Sequence, residues 1–199
     1  MSALSFIRAF VAIVPDAPVV EGLQQLQRSL QEESPPASVR WATRPQLHLT
    51  LRFLGQLPAA QVAELEHALE SACEGRGPFL LRAENLACFP DSRNPRVLWV
   101  GITGQLSELI ALQEAVTRHT ASWGDHTEER AFQPHLTIGR VKGGGREARL
   151  IGELVSSQCP FSLGEWRVKQ VDLVQSILAP QGAAYVCLKS VPLAPKAES

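Results

Sequence analysis

Apolar residues recur along this chain with two periods, and together they set out an alternating order of strands and helices. Phe6-Ile7-Arg8-Ala9-Phe10-Val11-Ala12-Ile13-Val14 is a nearly continuous apolar run. It is broken by Arg8, lacks a small-residue cleavage site and is too short to cross a bilayer, so it predicts a β-strand and not a signal peptide. From about Val19 to Glu33, Leu23, Leu26 and Leu30 stand at helical spacing, and Ser34-Pro35-Pro36 ends that helix. A short extended piece at Val39-Arg40-Trp41 precedes an alternating stretch, Gln46 to Leu54, that predicts a strand. Gly55 and Pro58 lead into a second helix, about Ala59 to Cys73, with Val62, Leu65 and Leu69 on one face. After the break at Gly75, Gly77 and Pro78, strands are predicted at Phe79 to Cys88 and Val97 to Thr103, on either side of the turn-forming Pro90-Asp91-Ser92-Arg93-Asn94-Pro95. A third helix, about Leu106 to Trp123, and a polar loop lead to another strand, Phe132 to Val141. Gly143-Gly144-Gly145 opens onto a shorter helical segment near Val155, and strands near Phe161, Val168 to Leu178 and Ala184 to Val191 close the chain.

Strand, helix, strand, helix is thus followed by a similar series, which predicts a pseudo-repeat of two α+β lobes. No linker separates them, so residues 1–194 read as one domain with a central groove, and 195–199 as a disordered tail.

Both halves carry the same phrase: His48-Leu49-Thr50-Leu51 and His135-Leu136-Thr137-Ile138. Side chains alternate across a strand, so His and Thr share one face while Leu49, Leu51, Leu136 and Ile138 take the other, toward a core. Two such strands facing each other bring two imidazoles and two hydroxyls into one cleft. A single His-x-Thr is commonly a satisfied histidine beside an ordinary β-former; two copies in matched settings point to function.

The net charge of −1 and pI near 6.5 give no field for long nucleic acid, so an anionic ligand must be recognised by local basic residues. A phosphate group or an RNA end fits better than a duplex. Cys73, Cys88, Cys159 and Cys187 are widely spaced without a CxxC pair, which predicts reduced, mostly buried thiols in a cytoplasmic protein.

Histidine titrates near neutrality, so one imidazole can accept a proton while a second donates one. That pair suits displacement at phosphorus, with the Thr50 and Thr137 hydroxyls on non-bridging oxygens and arginine forks matching the same atoms. By strict alternation Arg52 shares the face of His48 and Thr50. Arg140 has the opposite parity from His135 unless Gly139 bends the strand, and Arg130 lies just upstream on a loop. For each arginine a solvated surface charge competes equally with a phosphate contact. Neither motif has a third ligand for a metal nearby, and no cofactor is called for. Phe89 is the candidate for stacking on a base, Trp41 and Trp99 are core candidates, and His67, His119 and His126 read as surface residues. The triple glycine lacks the lysine and Ser/Thr of a phosphate-binding P-loop.

At these residues the chain resembles the 2H phosphoesterases and, within them, the RNA 2′,3′-cyclic phosphodiesterases, also called 2′–5′ RNA ligases. The resemblance runs from Phe10-Val11-Ala12-Ile13 through Trp41, His48 to Gly55 and Arg96 to Gly101 to the stretch Arg130 to Arg140. It implies an α+β fold of two pseudo-duplicated lobes, two mainly antiparallel sheets flanking a central cleft with helices outside. It also implies metal-independent opening of 2′,3′-cyclic phosphate ends of RNA or nucleotides to 2′-phosphomonoesters. His48 would then donate a proton to the leaving 3′-oxygen and His135 would activate water, with Thr50, Thr137 and arginines on the phosphate. The reverse reaction, 2′–5′ ligation, is a second expectation, and a nucleotide- or RNA-end-binding module without turnover is a third. No membrane association and no obligate protein partner are expected, and monomer is the default.

Overall fold

The computed structural model describes residues 5–124, 131–158, 161–179 and 182–195. The elements are β1 (Phe6–Ile13), α1 (Ala17–Glu33), β2 (Val39–Trp41), β3 (Leu49–Pro58), α2 (Val62–Cys73), β4 (Phe79–Phe89), β5 (Val97–Gly104), α3 (Leu106–His119), β6 (His135–Val141), α4 (Arg146–Ser157), β7 (Ser162–Val168), β8 (Gln170–Ala179) and β9 (Gly182–Pro192). The periodicity finds each helix and strand, but β3 starts after Gln46, which closes a 3-10 turn, and continues through Gly55 to Pro58, where a turn is expected. The third helix is shorter than the pattern suggests, ending at His119 with Thr120 as its cap, where the Thr120 hydroxyl donates back to the Val116 carbonyl at 2.6 Å. At the other end of the series, α1 starts where Asp16 accepts from the Val19 amide at 3.3 Å and Pro18 occupies the first turn. Residues 196–199 of the expected tail lie outside the described residues, as do Cys159 and His126.

All nine strands join one antiparallel sheet, ordered β7-β4-β5-β6-β3-β1-β8-β9 with β2 added on β6. Its two halves meet at a single residue pair, Leu49↔Leu136, between β3 and β6. Beyond that pair the strands part, and β2 takes over the edge of β6 through Val39↔Val141, Arg40↔Arg140 and Trp41↔Gly139. A five-stranded unit (β7, β4, β5, β6 and β2) and a four-stranded one (β3, β1, β8 and β9), joined at one point, are the two lobes expected from the pseudo-repeat.

Two of the four helices are exchanged between the halves. α1 follows β1 but packs on β6, β7 and α4 under the other half, while α3 follows β5 and packs on β3 and α2. No linker is visible in the sequence because each half takes one of its two covering helices from the other. One buried apolar cluster, including Val11, Leu23, Leu49, Leu65, Leu98, Leu112, Leu136 and Ile151, runs between helices and sheet beneath both halves. A small separate cluster, Phe10, Ala12 and Val174 with Tyr185 against it, lies apart from that core. Cys73 and Cys88 are buried free thiols, the first pushed up to about 11 by burial and the second also raised by burial; Cys187 is exposed.

Candidate active site

The Leu49↔Leu136 pair decides where the two motifs go. Both leucines are buried in the core, so the residues on either side of them project to the opposite, open face of the sheet. Because the pair is antiparallel, His48 lies on the side of Thr137 and Thr50 on the side of His135. All four side chains are half-buried on that face. Neighbouring strands agree: Thr50 pairs with Ala12, Thr137 with Trp99 and His135 with Gly101. Gly101 leaves room there, since a Cβ on it would stand 2.8 Å from the Glu84 carbonyl oxygen.

Each imidazole is held in the same way. His48 Nδ1 faces the Pro45 carbonyl at 3.4 Å and His135 Nδ1 faces the Gln133 carbonyl at 2.7 Å. A carbonyl can only accept, so Nδ1 carries the proton and Nε2 is the nitrogen left for chemistry. Aromatic rings wall each side. Phe10 stacks on His48 with centroids 4.8 Å apart, and Tyr185 meets His48 edge-on at 5.5 Å. Phe89 meets His135 edge-on at 5.2 Å and Trp99 does so at 5.9 Å, while Phe89 and Trp99 stack on each other at 4.9 Å. Burial among Phe10 and Tyr185 pushes the His48 imidazolium down to about 4, a shift only partly offset by the Pro45 carbonyl. His48 is therefore neutral near pH 7 while the cleft is empty. Neither Thr50 nor Thr137 makes a side-chain hydrogen bond among the described residues, although Thr117, Thr120 and Thr103 all do.

The arginines do not follow strict alternation, because each motif strand carries a β-bulge directly after its threonine. In β3 the register passes from Ala12↔Thr50 to Val11↔Arg52, leaving Leu51 extra; in β6 it passes from Trp99↔Thr137 to Leu98↔Gly139, leaving Ile138 extra. The extra residue reverses the parity of everything beyond it. Arg52 accordingly shares the face of core residue Val11 and turns away from the cleft, against the expectation. Its guanidinium donates to the Thr117 carbonyl at 2.7 Å, the Thr120 hydroxyl and the Trp123 carbonyl at 3.1 Å, tying down the end of α3. Arg140 is brought to the open face, opposite Val97, by the Ile138 bulge. Gly139 is the second residue of that bulge, and β2 approaches it closely: a Cβ there would lie 2.8 Å from Val39 Cγ1 and 3.1 Å from Trp41 Cε3. Arg130 lies outside the described residues.

Both bulges are supported from below by glutamines. Gln27 of α1 donates to the carbonyls of Ile138 and Ala42, each at 2.8 Å, and Gln113 of α3 reaches the Leu51 carbonyl at 3.4 Å. The signal for Gln27 was present in the sequence: it falls between Leu23 and Leu30 on the apolar stripe of its helix, where a polar side chain needs a partner. For Phe10, Tyr185 and Trp99 no local signal distinguishes a wall of the site from core. Phe89, the stacking candidate, stands at the site with one face covered by Trp99. Among the described residues no cluster of three His, Cys, Asp or Glu is arranged to hold a metal ion.

The family model for the 2′-5′ RNA ligase superfamily matches residues 14–177. An RNA 2′,3′-cyclic phosphodiesterase of Archaeoglobus fulgidus is 32% identical over 92% of this chain and 98% of its own length. One of Aquifex aeolicus is 28% identical over 94% of this chain and 97% of its own. Among solved structures, TT0787 of Thermus thermophilus superposes with a TM-score of 0.79 at 25% identity, covering 96% of this chain and 100% of that one. E. coli LigT complexed with 3′-AMP shares the fold, with a TM-score of 0.71 at 24% identity over 95% of this chain and 99% of that one. With the match extending over most of its length, the chain belongs to the 2′-5′ RNA ligase superfamily.

Proposed function

We propose that this protein hydrolyses 2′,3′-cyclic phosphate ends of RNA or nucleotides to 2′-phosphomonoesters, using His48 and His135 as an acid/base pair. The observation that carries this reading is the antiparallel Leu49↔Leu136 pair, which puts both His-Thr units on one face in reversed order. The relatives named RNA 2′,3′-cyclic phosphodiesterase support the substrate class.

In this reading His135 Nε2 takes a proton from water as the water oxygen bonds to phosphorus. The bond from phosphorus to the 3′-oxygen breaks, and that oxygen receives the proton carried by His48 Nε2. The products are a 2′-phosphomonoester and a 3′-hydroxyl, with His135 left protonated and His48 neutral; exchange with solvent restores both. Thr50 and Thr137 donate hydrogen bonds to the non-bridging oxygens. The burial that lowers His48 opposes its acid role in the empty cleft, and the negative phosphodiester opposes that burial by favouring the imidazolium. With the 5′-hydroxyl of a second RNA end in place of water, the same displacement, His135 taking the hydroxyl proton and His48 protonating the leaving 3′-oxygen, joins the ends through a 2′–5′ bond.

The protein acts in this reading as a cytoplasmic monomer of one domain, a view supported by the apolar cluster shared between the two halves and by the ordinary composition. No helix among the described residues is long and apolar enough to cross a membrane. Incubation with adenosine 2′,3′-cyclic phosphate in excess chelator tests the activity, with the phosphomonoester isomer identified by NMR. Production of 2′-AMP, lost by a factor of about 10²–10⁴ in His48→Ala and in His135→Ala, is expected. Full turnover by either variant rules out the paired mechanism, and binding of the cyclic nucleotide without product favours a non-catalytic module.

A further inference from the structure

In the first half of the sheet, β1 sends Phe6, Arg8, Phe10 and Ala12 to the open face, each two residues from the next and so about 7 Å apart along the strand. The row begins at the cleft: Ala12 pairs with Thr50, Phe10 with Phe53, Arg8 with Gln56 and Phe6 with Pro58. Two of these aromatic side chains stand in solvent. Phe53 is 58% exposed and Phe6 56%, whereas the other five phenylalanines are buried or half-buried. Arg8 lies between the two along the row. It is exposed and has no ion pair or side-chain hydrogen bond among the described residues.

The charges of this face decide its chemistry. The strands β1, β3, β8 and β9 direct two formally charged side chains to it, Arg8 and Asp172, the latter opposite Ala12. Asp172 is buried, and its Oδ1 accepts from the Ser190 hydroxyl at 2.6 Å and from the Gln170 amide at 2.9 Å. It also stands four residues from Arg8 in register, about 14 Å along the strand. Lys189 of β9 faces the helices, where it pairs with Glu70 at 2.8 Å. No carboxylate of these strands therefore meets Arg8, and its guanidinium is left for an anion from outside. The same strands bury their apolar residues on the opposite face, so two large rings left in water on this one mark a binding surface.

We infer that Phe53, Arg8 and Phe6 form a platform for unpaired RNA, stacking bases and holding a phosphate of the two nucleotides that precede the reacting end. This rests on the reading of the cleft as a cyclic phosphodiesterase site. Aromatic, cation, aromatic is the order in which an unpaired strand offers base, phosphate, base. A sheet face with exposed aromatic rings and an arginine binds such a strand because every base has a π-face and the guanidinium fork matches phosphate. The platform is continuous with the site: Phe53 meets Phe10 with ring centroids 6.2 Å apart, and Phe10 stacks on His48. Stacking is tolerant of base identity, so the platform selects an unpaired end and not a sequence. A second copy of the chain seated on this face is the weaker occupant, since the same strands would bring Arg8 no exposed carboxylate.

The test compares adenosine 2′,3′-cyclic phosphate with the trinucleotide ApApA ending in a 2′,3′-cyclic phosphate, and with the same trinucleotide lacking its two upstream bases. For wild type, kcat/KM is expected to be about tenfold higher on the full trinucleotide than on the mononucleotide, within the range that one stacked base supplies. The abasic trinucleotide should lose most of that gain. Phe6→Leu and Phe53→Leu keep apolar bulk but remove the ring, and each should lower the trinucleotide-to-mononucleotide ratio about threefold or more. Phe6→Tyr and Phe53→Tyr should keep the ratio of wild type. Arg8→Gln should lower it too, and should reduce the slope of log(kcat/KM) against log[salt] on the trinucleotide by about 0.7, the value for one contact to a single strand. Equal loss on mononucleotide and trinucleotide, or an unchanged ratio in Phe6→Leu and Arg8→Gln, overturns the inference. A dimer in sedimentation that dissociates in Phe6→Leu at an unchanged ratio overturns it as well and gives the face to a second copy. Anisotropy of fluorescently labelled ApApA 2′-phosphate separates the platform from the reaction. Binding weakened by Arg8→Gln without turnover by wild type rejects the proposed reaction and keeps the platform; turnover by wild type with binding unaffected by Arg8→Gln does the reverse.

Discussion

Gln27, buried in α1, donates its side-chain amide to the carbonyl of Ile138, the extra residue of the β6 bulge, at 2.8 Å. That one contact links a helix of the first half to the strand that carries the second motif, 111 residues away. It holds the bulge that determines which way Arg140 faces. Replacing Gln27 by leucine keeps the volume but leaves the Ala42 carbonyl without its donor. A loss of about 1–3 kcal/mol is expected from denaturant unfolding, together with a fall in kcat/KM beyond that of an equally destabilised variant remote from the cleft. Unchanged kinetics in the folded Gln27→Leu protein would show that the bulge holds itself.

Arg52 provides the opposite case. Its fork is spent on the end of α3, so Arg52→Met should lower stability by about 2 kcal/mol through the lost charge-assisted hydrogen bonds. KM for a cyclic nucleotide should stay within about twofold of wild type, since its donors face away from the phosphate. Thermal unfolding and steady-state kinetics on one preparation separate the two effects, and a large rise in KM at unchanged stability would return Arg52 to the site.

Burial lowers His48 from 6.5 to about 4 in the folded protein. Between those values the unfolded chain binds a proton that the folded chain does not, so this group's contribution to stability is full above pH 6.5, is lost as pH falls toward 4, and levels off below that. Wild type should therefore lose stability relative to His48→Gln between pH 7 and pH 4.5 in urea unfolding. A constant difference across that range would mean that His48 titrates normally.

A bound phosphate should act on the same group with the opposite sign. Titration of the His48 ring signals by NMR in saturating 2′-AMP is expected to show a midpoint above the free-protein value, because the anion stabilises the imidazolium. An unmoved midpoint would place the phosphate away from His48.

Gly139 packs under β2 with no room for a side chain. Gly139→Ala puts a methyl group against Val39 and Trp41 and should cost about 1–3 kcal/mol as β2 is pushed off β6. A fully stable Gly139→Ala protein would show that β2 yields freely.

From the sequence alone, the pairing of His with Thr on one face of each strand was legible, as were the helices and strands themselves. Those features depend on short-range periodicity: residues two apart in a strand share a face whatever lies beside it, and Leu49 and Leu136 had to be buried. The fates of Arg52 and Arg140 were decided only in three dimensions. Each stands beyond a bulge that exists because β1 or β5 pairs with a shifted register and a glutamine from a distant helix takes the displaced carbonyl. The depressed His48 likewise comes from Phe10 and Tyr185, strands apart in sequence and adjacent in the fold. Parity along a strand is local chemistry; a bulge or a desolvated ring is made by neighbours, and only the folded chain supplies them.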